Sequence, residues 1–413
     1  MSASGSPVER MRAFLAAHRE DQAALLAALV KTPSDNPPGD CAPFAGRAAA
    51  LLEGLGFKVE RHVVPPALVS AAGMISATNL VVRERFGDGP VIALNAHGDV
   101  VPPGLGWKDD PYGAVVREGR MFGRGVAVSK SDFATYAYAL LALKESGARL
   151  SGSVELHLTC DEETGGEIGP RWLLEEGVSE PDYAICAGFA YGITTAHNGC
   201  LHLEVEVTGK SAHAARPDTG VDALEAATGI LDGLYELRKS YAAIRSTTPG
   251  IDSPTLVIGL ISGGINTNVV PDKVSFRLDR RIVPEEDAGD VERELAAVIA
   301  GLAGCWPGIE CSVRRILLAR PLVPIPGQEK LVEVIRGAAG EVLGEQIKAH
   351  GVPIYTDARH YSAAGIPTVL YGAGPRTMLE ANGHRADENL KLDDLHKATE
   401  VIARSLAELL KRS

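Results

Sequence analysis

The hydrophobic rhythm of the chain changes near residue 200 and changes back near residue 317. Before the change, the apolar runs NLVVRER (79–85), PVIALNAHG (90–98) and SVELHLTCDEE (153–163) are nearly continuous. They alternate with helical stretches such as DFATYAYALLALKESG (132–147), which closes on a glycine. Strands buried on both faces and separated by helices predict a largely parallel sheet covered by helices. Between 201 and 316 the pattern differs: LHLEVEVTG alternates strictly, with Leu201, Leu203, Val205 and Val207 on one face. A helix at 221–240, strands at 254–262 and 273–283, a helix at 285–303 and a strand at 308–316 follow. That order, β-α-β-β-α-β, is the split βαβ or ferredoxin-like plan. Residues 328–413 return to a helix (LVEVIRGAAGEVLG), a strand (IPTVLYGAG) and a terminal helix from about 392. The expected fold class is therefore α/β, a mixed, largely parallel sheet flanked by helices, with an inserted α+β domain. The larger domain would comprise 1–200 and 317–413, and the insert 201–316.

Charge and cysteine usage narrow the partners. With 41 basic and 53 acidic residues the net charge is −12, which repels a phosphate backbone. No nucleic acid is expected as a partner. The first thirty residues carry Glu9, Glu20 and Asp21, so they read neither as a signal peptide nor as a membrane span. Their apolar spacing (Met11, Leu15, Ala24, Leu25, Leu29) predicts an amphipathic helix. The six cysteines show no paired metal-type spacing and are expected as reduced, mostly buried thiols in a cytoplasmic protein.

Residues with chemical potential gather where strands of the larger domain end, the usual place for ligands in open α/β sheets. AHGDVVPPG (96–104) delivers His97 and, two residues on, Asp99, a spacing that lets a carboxylate orient an imidazole. TCDEETGG (159–166) puts three acids in a row at the end of a buried strand, an arrangement that calls for a cation or a raised pKa. Glu162 and Glu163 can then divide the work, one binding metal and the other moving protons. GKSAHAARPDTG (209–220) carries His213 on a loop of the insert, and NGHRADENL (382–390) carries His384 in a turn before the last helix. Alone, each histidine also fits an ordinary strand-end or loop role.

Together the pieces are more specific. HGDVVP, W–DPY–GR–GRG–K, DEE–G, GKSAHAARP–G, GG–N–NVVPD, D-R-R, TDAR and GH–ADE resemble the zinc aminoacylase/deacylase peptidases of clan MH, in the same order over nearly the whole chain. That family includes acetylornithine deacetylase, succinyl-diaminopimelate desuccinylase and glutamate carboxypeptidases, and its members bind two zinc ions that share a bridging water. The resemblance implies that His97 ligates one metal with Asp99 orienting it, that Glu162 is the general base, and that Glu163 and His384 ligate the other metal. It implies that His213 stabilises the oxyanion from the partner subunit of a homodimer built through the inserted lid and dimerisation domain. It also implies that Asn268, Arg281 and Arg359, with Asp357 beside the last, hold a substrate carboxylate.

Two departures qualify this. In GRGVAVSKSD (123–132), Val128 stands where the family has the aspartate that bridges the metals. In PDYAICAGFAYG (181–192), Gly188 stands where a glutamate ligand is usual. Two divalent ions about 3.5–4 Å apart repel strongly without bridging negative charge, so a pair of zincs is not expected. Three arrangements stay open: one zinc held by His97, Glu163 and His384; a shell completed by Asp132, Ser129, Cys160, Cys186 or His197; or no metal at all. Ser129 and Lys130, at a helix start, are candidate donors to an anionic substrate group. The expected function is an amide-bond hydrolase of a small carboxylate-bearing amino-acid derivative. The alternatives are a metal-independent isomerase, lyase or hydrolase on the same fold, and a non-catalytic ligand-binding protein.

Overall fold

The structure is a computed structural model, and it describes residues 5–412. Two compact units divide the chain. The first takes the residues up to Thr195, Pro324–His350 and those from Thr356 on; the second takes Ala196–Val323 and Gly351–Tyr355.

An eight-stranded sheet runs in the order Val59–Val63, Thr78–Arg85, Ser153–Thr159, Val91–His97, Tyr183–Cys186, Thr368–Leu370, Ile193–His197, Ala349–Val352. Its centre is parallel: Val91–His97 pairs in parallel with both Ser153–Thr159 and Tyr183–Cys186, which pairs in parallel with Thr368–Leu370. Antiparallel strands flank that centre. The two central strands that end at the candidate site are buried along almost their whole length, as their unbroken apolar sequence requires.

Helix Lys130–Glu145 is buried nearly all round. It packs on Val91–His97 and is covered by Pro7–Ala17, Arg19–Val30 and Leu392–Leu409. The expected single N-terminal helix is thus two. His18 leaves helical geometry at φ −112°, ψ 20°, and its ring bonds Asp21 instead. The break lets Met11 and Leu15 on one piece and Leu25 and Leu29 on the other reach the core, while Ala24 stays exposed. Strand 153–163 also ends early, at Thr159. The acids after it turn away through a short 3₁₀ turn, Glu162–Thr164, closed by Gly165 at φ +116° and Gly166 at φ +67°.

A small three-stranded sheet matters more for the site than its size suggests. Its order is Asn389–Lys391, Arg120–Phe122, Val115–Arg117. It brings the loops at 123–129 and 382–388 side by side, with the Gly123 N–H donating to the Glu388 carbonyl at 2.9 Å.

The second unit holds a four-stranded antiparallel sheet in the order Thr255–Gly263, Lys273–Ile282, Gly199–Thr208, Glu310–Ala319. That is the strand order of the split βαβ plan. Helices Ala223–Ser240 and Ala288–Ala303 cover the face bearing Leu201, Leu203, Val205 and Val207. Both are capped by aspartate: Asp222 accepts from the N–H groups of Leu224 and Glu225, and Asp287 from that of Asp290.

Candidate active site

Two parallel strand ends and two loops build the site in the first unit. His97 closes strand Val91–His97. Its Nδ1 faces the Asp99 carbonyl at 3.1 Å and the Asp99 carboxylate at 3.3 Å, so Nε2 is the nitrogen turned toward Glu162, 3.9 Å away. Asp99 is fully buried and accepts from the N–H groups of Glu162 (3.3 Å) and Glu163 (3.1 Å) and from Asn36 Nδ2 (2.9 Å). One carboxylate thus fixes both the imidazole and the turn that presents the two glutamates. Ligand atoms of His97, Glu162 and Glu163 all lie within 4.8 Å of one another. His384 joins from the opposite loop, its Nε2 3.5 Å from Glu163 Oε1. Its backbone is left-handed, φ +60°, an unusual state for a residue with a β-carbon.

The electrostatics are those of an acid-rich pocket short of cations. Burial pushes the Glu162 carboxyl well above its ordinary range, and Glu163, Asp357 and Asp99 add to this against the pull of His97. Burial raises Asp357 to about 7 and, with Asp357 and Asp99 adding to it, lifts Asp161 well above its usual value. Burial alone would lower the His97 pKa, but Glu162, Asp99 and Glu163 overcome it and hold the imidazole proton well above the usual range. A divalent ion here would take the place of that proton and offset the carboxylates, so the donor set is compatible with one.

A second ion does not fit. Val128 is half-buried and packs on the core. At Gly188 a β-carbon would stand 2.7 Å from the Tyr371 nitrogen and 2.8 Å from the Leu370 carbonyl carbon, so the backbone leaves no room for a glutamate. Four of the substitute ligands, Asp132, Ser129, Cys160 and His197, already have partners, and the fifth, Cys186, is a buried thiol held protonated. Asp132 accepts from the Ala373 N–H at 2.8 Å and from the Gly188 N–H, and Ser129 Oγ accepts from the His97 N–H at 3.1 Å. Buried Cys160 bonds Cys41, burial raises Cys186, and His197 Nδ1 faces the Asn198 carbonyl at 2.9 Å in the second unit.

The candidate substrate donors serve the protein itself. Lys130 is fully buried and donates to the Thr32 carbonyl at 2.9 Å. Arg359 is 4% exposed and donates to the Gly165 carbonyl, bracing the turn that carries the glutamates. Asp357 is buried and accepts from Thr159 at 3.4 Å. In the second unit His213 and Asn268 are exposed on neighbouring loops, with His213 Nδ1 accepting from the Ala215 N–H. Arg281 there holds Asp279 at 3.0 Å.

Four contributors were not singled out from sequence. Asn36 steadies Asp99, Asp161 accepts from the Ile168 N–H at 2.7 Å, and Arg124 forms a buried ion pair with Glu388 at 2.6 Å. Glu388 also accepts from the Ala127 N–H at 3.1 Å, tying the two loops together. Arg124 and Glu388 stood inside the GRG and GH–ADE motifs; Asn36 lies in a Pro-rich turn with no chemical signature.

A parallel α/β sheet ending in a histidine–carboxylate cluster, with an inserted split βαβ unit, defines a fold of the metallopeptidase and amidohydrolase kind. Residues 93–408 match Peptidase family M20/M25/M40, and the chain belongs to that family, with an incomplete metal-ligand set. It is 31% identical to an acetylornithine deacetylase of Proteus mirabilis over 79% of this chain and 80% of that protein. It is 27% identical to a succinyl-diaminopimelate desuccinylase of Nitratiruptor, over 76% of this chain and 84% of that one. Among solved structures, the metallo-carboxypeptidase Sso-CP2 of Sulfolobus solfataricus superposes with a TM-score of 0.77 at 19% identity, covering 94% of this chain and 99% of that one. Human carnosine dipeptidase 1 gives 0.73 at 17% identity, covering 97% and 99%. Among the described residues no helix is long and apolar enough to cross a membrane.

Proposed function

We propose that the chain hydrolyses an amide bond in a small N-acyl amino acid or peptide-like carboxylate, using one divalent ion held by His97, Glu163 and His384. The observation that carries this is the convergence of His97, Glu162 and Glu163 in a pocket where burial and neighbouring carboxylates raise Glu162 against the pull of His97. Two histidines, one carboxylate and an open position form a catalytic zinc set. When bound, such an ion polarises the scissile carbonyl and makes water nucleophilic near neutral pH.

The chain's own groups do the rest. Asp99 holds His97 in the tautomer that leaves Nε2 available. Glu162 takes the proton from the attacking water and passes it to the departing amine as the carbon–nitrogen bond breaks. Its raised pKa, caused first by burial, suits a group that must hold a proton between those two events. Arg359 and Asp99 position the turn that carries it. His213, Asn268 and Arg281 remain the proposed contributors to the oxyanion and the substrate carboxylate.

Self-association through strand Thr255–Gly263 belongs to the same reading. It is an edge strand whose Val257, Leu260 and Ile261 are exposed, an apolar edge that a second copy can cover. Sedimentation of wild type and Leu260→Asp tests it, and an active wild-type monomer would dismiss it.

Turnover of a panel of N-acyl amino acids decides the main proposal. Activity should vanish on chelation and return with zinc, and His97→Ala should abolish it. Turnover indifferent to chelator yet lost in Glu162→Gln would replace this reading with a metal-free enzyme on the same fold. Unaltered ligand affinity without turnover would replace it with a binding protein.

A further inference from the structure

The second unit carries three side chains, Cys200, His202 and Asp279, that the proposed reaction does not use and whose ligand atoms gather together. Strand alternation puts Leu201 and Leu203 against the helices, and therefore turns Cys200 and His202 to the opposite face of the sheet. Asp279 is the cross-strand partner of His202, and Arg281 that of Cys200, so all four share that face. Their polar atoms meet at one point. Cys200 Sγ lies 3.1 Å from His202 Nε2 and 3.7 Å from Asp279 Oδ2, and His202 Nε2 lies 2.9 Å from the same Oδ2.

We infer that Cys200, His202 and Asp279 form a divalent-cation site of the zinc class. Metal–ligand bonds of about 2.0–2.3 Å at tetrahedral angles place donor atoms about 3.3–3.8 Å apart, so the cluster needs to open by only a few tenths of an ångström. A thiolate, an imidazole and a carboxylate select zinc or cobalt over magnesium or calcium. Arg281 Nε holds the other oxygen of Asp279 at 3.0 Å, the outer contact that orients a ligating carboxylate. Thiolate and carboxylate together cancel a doubly charged ion, so the Arg281 guanidinium faces a neutral group. Cys200 is fully buried, whereas the His202 and Asp279 side chains are 34% and 29% exposed, leaving a route for the ion.

A cysteine nucleophile with a histidine–aspartate relay does not match this geometry. A relay uses both ring nitrogens, one toward the nucleophile and one toward the acid. Here the single Nε2 faces both partners, which is the arrangement of ligands around a common centre. The ion would lock the start of strand Gly199–Thr208 to the end of strand Lys273–Ile282.

Cobalt(II) titration of the full-length, chelator-stripped protein tests the site. The ligands proposed for the first unit, His97, Glu163 and His384, contain no sulfur, so a thiolate-to-cobalt charge-transfer band reports a cysteine, and its loss in Cys200→Ser separates Cys200 from the other five free cysteines. The band should appear in wild type, bleach when zinc is added, and disappear in Cys200→Ser. His202→Asn should weaken cobalt binding more than about tenfold, and Arg281→Ala by about 10–100-fold. No band in wild type at excess cobalt, or an undiminished band in Cys200→Ser, would overturn the inference. Should Cys200→Ser fail to fold, unchanged cobalt affinity in both His202→Asn and Asp279→Asn overturns it instead.

Discussion

Replacing Gly188 by glutamate restores the carboxylate that the family usually places there, and it should not restore a second ion. A β-carbon at 188 meets the Tyr371 nitrogen at 2.7 Å and both Leu370 C and Cβ at 2.8 Å. Tyr371 and Leu370 cannot simply swing aside, because Leu370 ends a strand of the sheet and Tyr371, next to it, is tied by its backbone to the neighbouring strand. The Tyr371 N–H donates to the Cys186 carbonyl at 2.9 Å, and the Gly374 N–H to the Gly188 carbonyl at 2.8 Å. Room for the side chain therefore costs about 1–3 kcal/mol of overpacking, plus about 1 kcal/mol for each backbone bond that lengthens. A total of about 2–5 kcal/mol lowers the melting temperature of a chain this long by roughly 2–6 °C. Gly188→Ala should already show most of the loss, since the β-carbon makes the clash. Thermal unfolding and zinc content measured side by side on wild type, Gly188→Ala and Gly188→Glu provide the check. A Gly188→Glu protein that melts with wild type and gains one zinc equivalent over it would refute the reasoning.

Glu162→Gln should lower turnover by about 10²–10⁴-fold while leaving zinc content unchanged, because the loss is of a proton carrier and not of the ligand set; stopped activity together with lost zinc would make Glu162 a ligand. Glu388→Ala strands the buried Arg124 guanidinium and should cost about 3–5 kcal/mol, read from the urea midpoint; a change under 1 kcal/mol would show that the pair holds nothing. Burial raises the Asp132 pKa from 3.8 to about 7 in the folded chain. The folded state there binds the extra proton, so this group's contribution is full below about pH 4, declines as pH rises to about 7, and is flat above. Asp132→Asn should flatten the stability profile across that window, and an unchanged slope would contradict the assignment.

The central buried strands, the long helices and the inserted plan were legible because burial imposes periodicity: Leu201, Leu203, Val205 and Val207 could only face one core. His97, Glu162 and Glu163 were legible because polar groups at the end of an apolar strand need a reason to be there. What sequence did not reveal depends on distance along the chain. Nothing in the turn holding Asn36 announces that its amide reaches Asp99, 63 residues on. Arg124 and Glu388, 264 residues apart, form their pair only because two short strands bring their loops together. Lys130 read as a substrate donor because it opens a helix, and Arg359 because the resemblance implies it; the fold buries both and gives each a carbonyl oxygen to hold.

The same internal contacts account for how GRGVAVSKSD can keep its shape without a metal-binding aspartate. Arg124 and the Ala127 N–H are both held by Glu388, Ser129 by the His97 backbone, and Lys130 by the Thr32 carbonyl. None of these anchors passes through an ion. A loop braced in this way pays little structurally when its ligand becomes Val128, whereas the neighbouring acids lose a compensating charge and cannot disperse it. The metal dependence of the site should therefore appear in the ionisation of Glu162 and Asp357, and not in the order of the loop. Hydrogen exchange on either side of chelation separates the two: protection at 123–131 should hold while the turn at 162–166 loosens.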